Sequence, residues 1–564
     1  MKMFFNPAIK KVNDRSSFDN TLIIRRLFLV AFFMTTLGLV ISIKIFELAL
    51  LQDKIFSSFS EQTIKKDNSF RGQIRDRNGK ILASNIFKYK LKAYPKLISN
   101  PNYTVEILSK EIEGLDAQRV LKQISNKSKY EVVILRNITA KKAKSLNSLG
   151  IPGLEFFPTI KRFYPHGNLT AHLIGHTNKS LRGVNGIEKT FNEKLSSGED
   201  ITLSMDIRVQ HAIREELYKD FDFFKSKTAS TILINIKTNE IISMVSLPDF
   251  NPNFSINPLL NSYRNTATLN LYEMGSTFKV FTIAAAFERS DIKLTSNFDA
   301  SKPLRVSSRY LIKDYHPENR ILNTKEVFLK SSNIGASLIG LKIGGDNLKN
   351  FYNNLGLLDY SSINIKEKAK PRYPLKWGDV ETATLAYGHG ISVTPMHLVE
   401  AASLIFGGYK SEKIKLELQE INKENQDTFL SHSTKEKLLQ LMEENVLYGT
   451  GKKAFLSGYR IGGKTATAEK VDYKKGGYDK RKLVSSFLSV FPINEPKYIC
   501  LVLFDEPILN NLHANNDGAT GGKTAAKTTA KIIKRIAPIL GIELQNNINN
   551  LIVKREKGIN FVSY

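Results

Sequence analysis

A single cysteine, Cys500 in "KYICLVLF", rules out an internal disulfide and leaves the redox compartment open. Its apolar neighbours predict a buried strand residue. The chain does not need such a staple, because 564 residues at 42% hydrophobic content can fill two or three large cores. Acidic residues are scarce beside basic ones, 54 Asp and Glu against 82 Lys and Arg, and the net charge is +28. That excess suits nucleic acid, an anionic membrane or an acidic polymer. The basic residues are scattered, however, and no zinc, helix-turn-helix or RNP signature accompanies them, so nucleic acid is not the expected partner. Internal repeats are absent. No long apolar stretch follows residue 51, which excludes a polytopic membrane protein.

The one long apolar run is near the start. "LFLVAFFMTTLGLVISI", residues 27–43, has no charge over 17 positions, and apolar residues continue on both sides. It is long enough to span a bilayer as a helix, with Lys44 snorkelling to the headgroups. Residues 10–26 hold five basic residues (Lys10, Lys11, Arg15, Arg25, Arg26), against two in residues 44–60 (Lys44, Lys54). The bias keeps residues 1–26 in the cytoplasm and sends the remainder across the membrane. No small-x-small cleavage site follows Ile43, so the segment reads as an uncleaved anchor.

Residues 44–197 read as one exported unit. "FRGQIRDRNGKILASN" predicts two short strands around a turn at Asn78-Gly79. "RFYPHGNLTAHLIGHTN" and "GVNGIEKTFNEKL" predict an irregular, tightly packed connection. Residues 198–541 read as a second unit. "ITLSMDIRVQHAIREEL" predicts strand then helix, and "TASTILINIKTNEIISMVSLP" two apolar strands joined at "KTNE". "RIGGKTATAEK" and "SSFLSVFPINEPKYICLVLFDEP" supply three more strands, and "TAAKTTAKIIKRIAPILGI" a last helix. Strands at both ends with helices between predict an α+β fold, an antiparallel sheet packed by helices. Residues 542–564 are a polar, Asn-rich tail.

"YEMGSTFKVF" puts Ser276 and Lys279 three positions apart, on one face of a helix. A serine hydroxyl is a poor nucleophile until a neighbour removes its proton. A lysine can do so when burial or a nearby cation lowers its proton affinity. Ser-x-x-Lys alone arises by chance in almost every long chain. Here it is followed by Ser331-x-Asn333 in "KSSNIGAS" and by Lys464-Thr465-Ala466-Thr467 on a predicted strand. Three such segments, in this order and well separated, are the motif set of serine-type acyl transferases that bind penicillin.

With these residues the chain resembles the class B penicillin-binding proteins, from the anchor to about residue 540. "RGQIRDRNGKILA" is similar to a box in that family's N-terminal pedestal, a dimerisation-type domain. "RFYPHG", "AHLIGHTN" and "GVNGIEKTFNEKL" are similar to its pedestal-to-catalytic junction, and "YGHGISVTPMHLVEA" to its GxGxxVTPxQ stretch. The junction favours the division-type subgroup over the elongation type. No E-D-x-x-F-x-x-H-x-G signature lies between anchor and catalytic domain, unlike the bifunctional class A. The resemblance implies a β-lactamase/transpeptidase-like fold and a septal DD-transpeptidase of peptidoglycan, in the inner membrane, with no cofactor or metal. Ser276 would attack the penultimate D-Ala carbonyl of a stem peptide and Lys279 would take its proton. Ser331 would relay a proton, Lys464 would tune the field, and Asn333 would bind the substrate amide and hold Lys279. Thr465, Ala466 and Thr467 would bind substrate, Lys464 with Thr465 and Thr467 holding its terminal carboxylate, and the N–H groups of Ser276 and Thr467 would form the oxyanion hole. Implied partners are stem peptides, β-lactams, a SEDS-type glycan polymerase and division proteins.

The sequence departs from the family pattern at four places. Ala466 stands where the K-T-G motif has glycine, Met274 where a proline precedes the serine, His397 for the usual Gln, and Lys527 for a proline near the end. Ala466 keeps a second reading open, a division scaffold with a degenerate catalytic domain. A penicillin hydrolase or sensor is a third, opposed by the long pedestal and the single anchor. Two other patterns are weaker. His172 and His176, with His166 nearby, lack the H-E-x-x-H glutamate and read as junction histidines. "GYRIGGKT" matches a phosphate-loop pattern, but a strand, not a helix, is predicted to follow.

Overall fold

The computed structural model describes residues 24–47, 70–254, 257, 259–407, 413–418, 428–471, 476–509 and 518–545. The basic residues before position 24, Lys54 and the tail from 546 lie outside them. The chain divides into two compact units, Met1–Ser69 and Phe70–Tyr564.

In the first unit the helix Ile24–Glu47 has 24 residues, longer at both ends than the run expected over 27–43. At 1.5 Å per residue it is roughly 36 Å long, enough for a ~30 Å hydrocarbon core. Its side chains are exposed throughout, and the Thr35 hydroxyl donates to the Ala31 carbonyl at 2.9 Å. That bond satisfies the hydroxyl within the helix, as an apolar solvent requires.

The second unit is α+β and begins with a five-stranded sheet. Ile74–Arg75 and Ile81–Ala93 form the expected hairpin, its turn closed by Gly79 N–H to Asp76 O at 2.9 Å. The second strand is 13 residues, not short, because its far half pairs on both sides with Val132–Ile138 and Leu154–Phe163. Three helices, Pro101–Glu111, Ala117–Ser125 and Ala140–Asn147, supply Leu108, Ile124 and Leu146 to this core. The two-residue strand Ile201–Thr202, past residue 197, pairs parallel with Ile74–Arg75 in the same sheet. At the base of this region two arginines grip one buried carboxylate. Arg71 reaches Glu188 at 2.6 Å and Arg162 reaches it at 2.7 Å, all three nearly inaccessible. The distant "RGQIRDRNG", "RFYP" and "GIEK" segments thus meet in one polar knot.

The second sheet is antiparallel, in the order Gly462–Val471, Tyr478–Phe491, Tyr498–Asp505, Thr228–Asn235, Glu240–Leu247. Every strand expected from the apolar runs is present. Along Tyr498–Asp505, Ile499, Leu501 and Leu503 enter one core, while Cys500, Val502 and Phe504 enter the other. Both faces of this strand are covered, which is why it reads as a continuous apolar run. Helices Ile207–Phe223 and Ala525–Ile536 cover one face. On the opposite face lie Phe278–Arg289, Asn333–Ile343 and Pro395–Gly407. Cys500 is buried as expected, and burial pushes its thiol up to about 12.

Candidate active site

The serine of "YEMGSTFKVF" lies in a 3-10 turn, Gly275–Thr277, that leads into the helix Phe278–Arg289. The helix therefore begins two residues after Ser276 rather than at it. Gly275 has φ +51, a conformation that suits a residue without Cβ. Behind it sits Gly388 of "YGHG", at φ +83, where an added Cβ would be 2.3 Å from the Gly275 carbonyl oxygen. The turn is thus pressed between that loop and the strand Gly462–Val471, which bears Lys464.

The three motif segments meet. Lys279 is wholly buried, and its Nζ lies 3.0 Å from Ser276 Oγ, 2.8 Å from Asn333 Oδ1 and 3.2 Å from Ser331 Oγ. Lys464, also wholly buried, places its Nζ 2.9 Å from Ser331 Oγ. One hydroxyl, Ser331, therefore stands between two amines. Burial pushes the Lys464 ammonium down to about 7. Burial, and then the Lys464 charge, hold Lys279 well below the ordinary lysine range, while Asp314 pulls the other way. Desolvation dominates because burial strips the ammonium of more hydration than the Asp314 carboxylate restores.

Ser331 itself has φ +59, between the helices Thr324–Lys330 and Asn333–Ile343. That left-handed geometry costs a non-glycine residue roughly 1–2 kcal/mol. It turns the chain so that Ser331 and Asn333 both face Lys279.

On the edge strand Gly462–Val471, alternation puts Lys464, Ala466 and Ala468 on one side and Thr465 and Thr467 on the other. Thr465 Oγ1 is 2.6 Å from Thr450 Oγ1, and Thr467 Oγ1 accepts from Gly521 N–H at 3.0 Å. Ala466 is 3% exposed, and its methyl does not prevent Lys464 from reaching Ser331. As this segment is a strand, it is not the helix entrance a phosphate loop needs.

Several residues around the site were not among those expected to form it. Glu273 accepts from Gly390 N–H at 3.2 Å and from the Tyr478 hydroxyl at 3.1 Å, and burial pushes its carboxyl up to about 7. His389 stacks near Tyr387 and Tyr478, and burial followed by the Lys279 charge lowers it to about 4. Asp314 bonds the start of the Asn333–Ile343 helix. None is a position of the three spaced motifs, and Asp314 lies in no quoted segment at all, so motif spacing could not have assigned them to the site.

The model of the penicillin-binding protein transpeptidase domain matches residues 229–534, and that of the penicillin-binding protein dimerisation domain matches residues 66–204. The chain belongs to the class B penicillin-binding proteins. A probable peptidoglycan D,D-transpeptidase FtsI of Caulobacter vibrioides is 34% identical over 492 residues, covering 85% of this chain and 82% of that one. The peptidoglycan D,D-transpeptidase FtsI of Buchnera aphidicola is 28% identical, covering 96% of this chain and 99% of its own. Stage V sporulation protein D of Bacillus subtilis is 27% identical, covering 94% and 88%.

The other departures from the family pattern in this penicillin-binding protein are accommodated. Met274 is buried, and its carbonyl accepts from the Thr277 hydroxyl at 2.7 Å. His397 is buried with Nδ1 2.7 Å from Thr394 Oγ1 and Nε2 2.8 Å from Asp359 O. Lys527 is exposed in the first turn of the last helix. The junction histidines pack rather than gather: His172 Nε2 meets Ser262 O at 2.8 Å, and His176 lies edge-on to Tyr263. Among the described residues no three His, Cys, Asp or Glu side chains form a metal-binding group.

Proposed function

We propose that this protein is a serine-type peptidoglycan DD-transpeptidase acting in septal wall synthesis, and a target of β-lactams. The observation that carries the reading is the 3.0 Å approach of a buried lysine amine to Ser276 Oγ. The FtsI names of the Caulobacter and Buchnera relatives support the septal role.

Neutral Lys279 takes the hydroxyl proton as Ser276 Oγ forms a bond to the penultimate D-Ala carbonyl carbon. The developing oxyanion is received by the N–H groups of Ser276 and Thr467, each donor commonly contributing about 2.7–4 kcal/mol. Thr467 lies on an edge strand, where alternate N–H groups have no ladder partner. The peptide C–N bond breaks, and the leaving D-Ala amine receives a proton relayed through Ser331. Protonated Lys464, with Thr465 and Thr467, holds the substrate's terminal carboxylate. Asn333 binds the substrate amide while its Oδ1 keeps Lys279 in place. An amine of a neighbouring stem peptide then attacks the ester carbon, the Oγ–C bond breaks, and the proton returns to Oγ. A β-lactam follows the first half and leaves Ser276 acylated.

The anchor is read as crossing the inner membrane with residues 1–26 cytoplasmic and the catalytic domain outside. Anchor and pedestal are the surfaces offered to a SEDS-type polymerase and division proteins, and co-purification with and without residues 24–47 tests that assignment. The catalytic reading is tested by labelling the chain with a fluorescent penicillin. Labelling of the parent, and none of a folded Ser276→Ala chain, is expected. Equal labelling of both sinks the assignment of the nucleophile, and failure of the folded parent favours the scaffold.

A further inference from the structure

Ser331, Ser332 and Asn333 form a tight turn whose first residue is left-handed, and both ends of that turn face Lys279. Ser331 N–H reaches Phe328 O at 3.3 Å and Ser332 N–H reaches Val327 O at 3.0 Å, which tie the turn to the preceding helix. Its other side is held from a segment that carries no family motif. Asp314 follows the small hairpin of Leu304–Arg305 and Leu311–Ile312. Its Oδ1 accepts from Asn333 N–H at 2.5 Å and from Ile334 N–H at 2.9 Å. Its Oδ2 accepts from the Ser332 hydroxyl at 2.6 Å. Ser332 Oγ in turn accepts from Gly335 N–H at 2.9 Å. A charged acceptor on two free N–H groups at a helix start is a strong anchor.

We propose that Asp314 is a positioning residue for acyl transfer: its carboxylate clamps the Ser331–Asn333 turn against Lys279 and counters the positive charge of that buried lysine. This rests on the Ser276–Lys279 reading. The charged and titratable groups set around Lys279 are Lys464 on the edge strand, Asp314 just after the small hairpin, and His389 on the loop behind the serine, with Glu273 3.9 Å from His389. Lys464 drives the proton off Lys279, whereas Asp314 opposes this. Removing the Asp314 charge therefore leaves Lys279 a weaker base that is neutral at lower pH.

The test uses the full chain, with Asp314→Asn and Asp314→Ala. Asn keeps an acceptor for the two N–H groups but carries no charge. Ala removes both. Acylation by a fluorescent penicillin is followed against pH. The acid limb of Asp314→Asn is expected at lower pH than in the parent, and Asp314→Ala is expected to lose about tenfold or more at every pH. Asn should recover most of that loss on the plateau. A residue that only stabilised the fold would not move the acid limb, so coincident limbs for parent and Asp314→Asn overturn the electrostatic role. Hydrogen exchange of the 331–335 backbone, read by mass spectrometry, reports the clamp whether or not Ser276 reacts. Faster exchange in Asp314→Ala than in Asp314→Asn and the parent is expected, and equal exchange in all three overturns the clamp. A parent inert to penicillin would instead count against the functional reading.

Discussion

Exchange of Lys279 for methionine keeps the buried volume of the stem and deletes the amine. Acylation by penicillin is expected to fall about 10²–10⁴-fold, the usual contribution of a positioned base, with little change in melting temperature. The two lysines also set a pH profile. Below its depressed titration point Lys279 holds a proton and cannot accept another, so the rate rises with pH. Above about 7 Lys464 loses the charge assigned to the substrate carboxylate, so the rate falls again. A bell is expected, with midpoints that belong to the pair rather than to either residue. Lys464→Met should lower the rate, remove the alkaline limb and move the acid limb to higher pH, because the Lys464 charge helps depress Lys279. An unmoved acid limb in a stopped-flow acylation series would count against this coupling. Ala466→Gly supplies the residue of the family motif. It should change acylation little, since Lys464 already reaches Ser331, and cost roughly 0.5–1 kcal/mol in denaturant unfolding, as glycine does within a strand.

The elements matter through how closely they approach. The Ser276 turn is fixed from behind by Gly388, and Gly388→Ala would force a Cβ to within 2.3 Å of the Gly275 carbonyl, in a backbone conformation that alanine resists. Displacing Ser276 by about 1 Å can cost about 10²-fold, and a loss of that order in penicillin labelling of soluble, folded chain is the expected result. At the base of the pedestal sheet, Glu188→Ala would leave Arg71 and Arg162 buried without their shared carboxylate. Loss of one member of such a cluster typically costs about 3–5 kcal/mol, to be read as a lower midpoint in urea. Three strands paired by distant segments also explain why the Ile81–Ala93 strand outruns its sequence signal.

For the whole molecule, the division into two compact units makes a simple prediction. A chain beginning at about residue 60 should leave the membrane fraction and still label with penicillin, since Ser276, Lys279, Ser331, Asn333 and Lys464 all lie in Phe70–Tyr564. Loss of labelling in that folded fragment would show that the anchor contributes to the site.

The sequence by itself determined the long apolar helix, the apolar strands of the second sheet and the spacing of the eight motif residues, because each is written in a local pattern: an uncharged run, a continuous apolar strand, a fixed spacing. It also announced Ser276 and Lys279 as a pair, since three positions apart is one helical face. Only the tertiary structure decided that Ser331 stands between two amines, that Gly388 backs the Ser276 turn, and that Asp314, 19 residues before Asn333, holds that helix start. Those contacts join segments far apart in the chain. Burial, which lowers the proton affinity of an ordinary lysine, belongs to their packing together and to no single stretch of sequence.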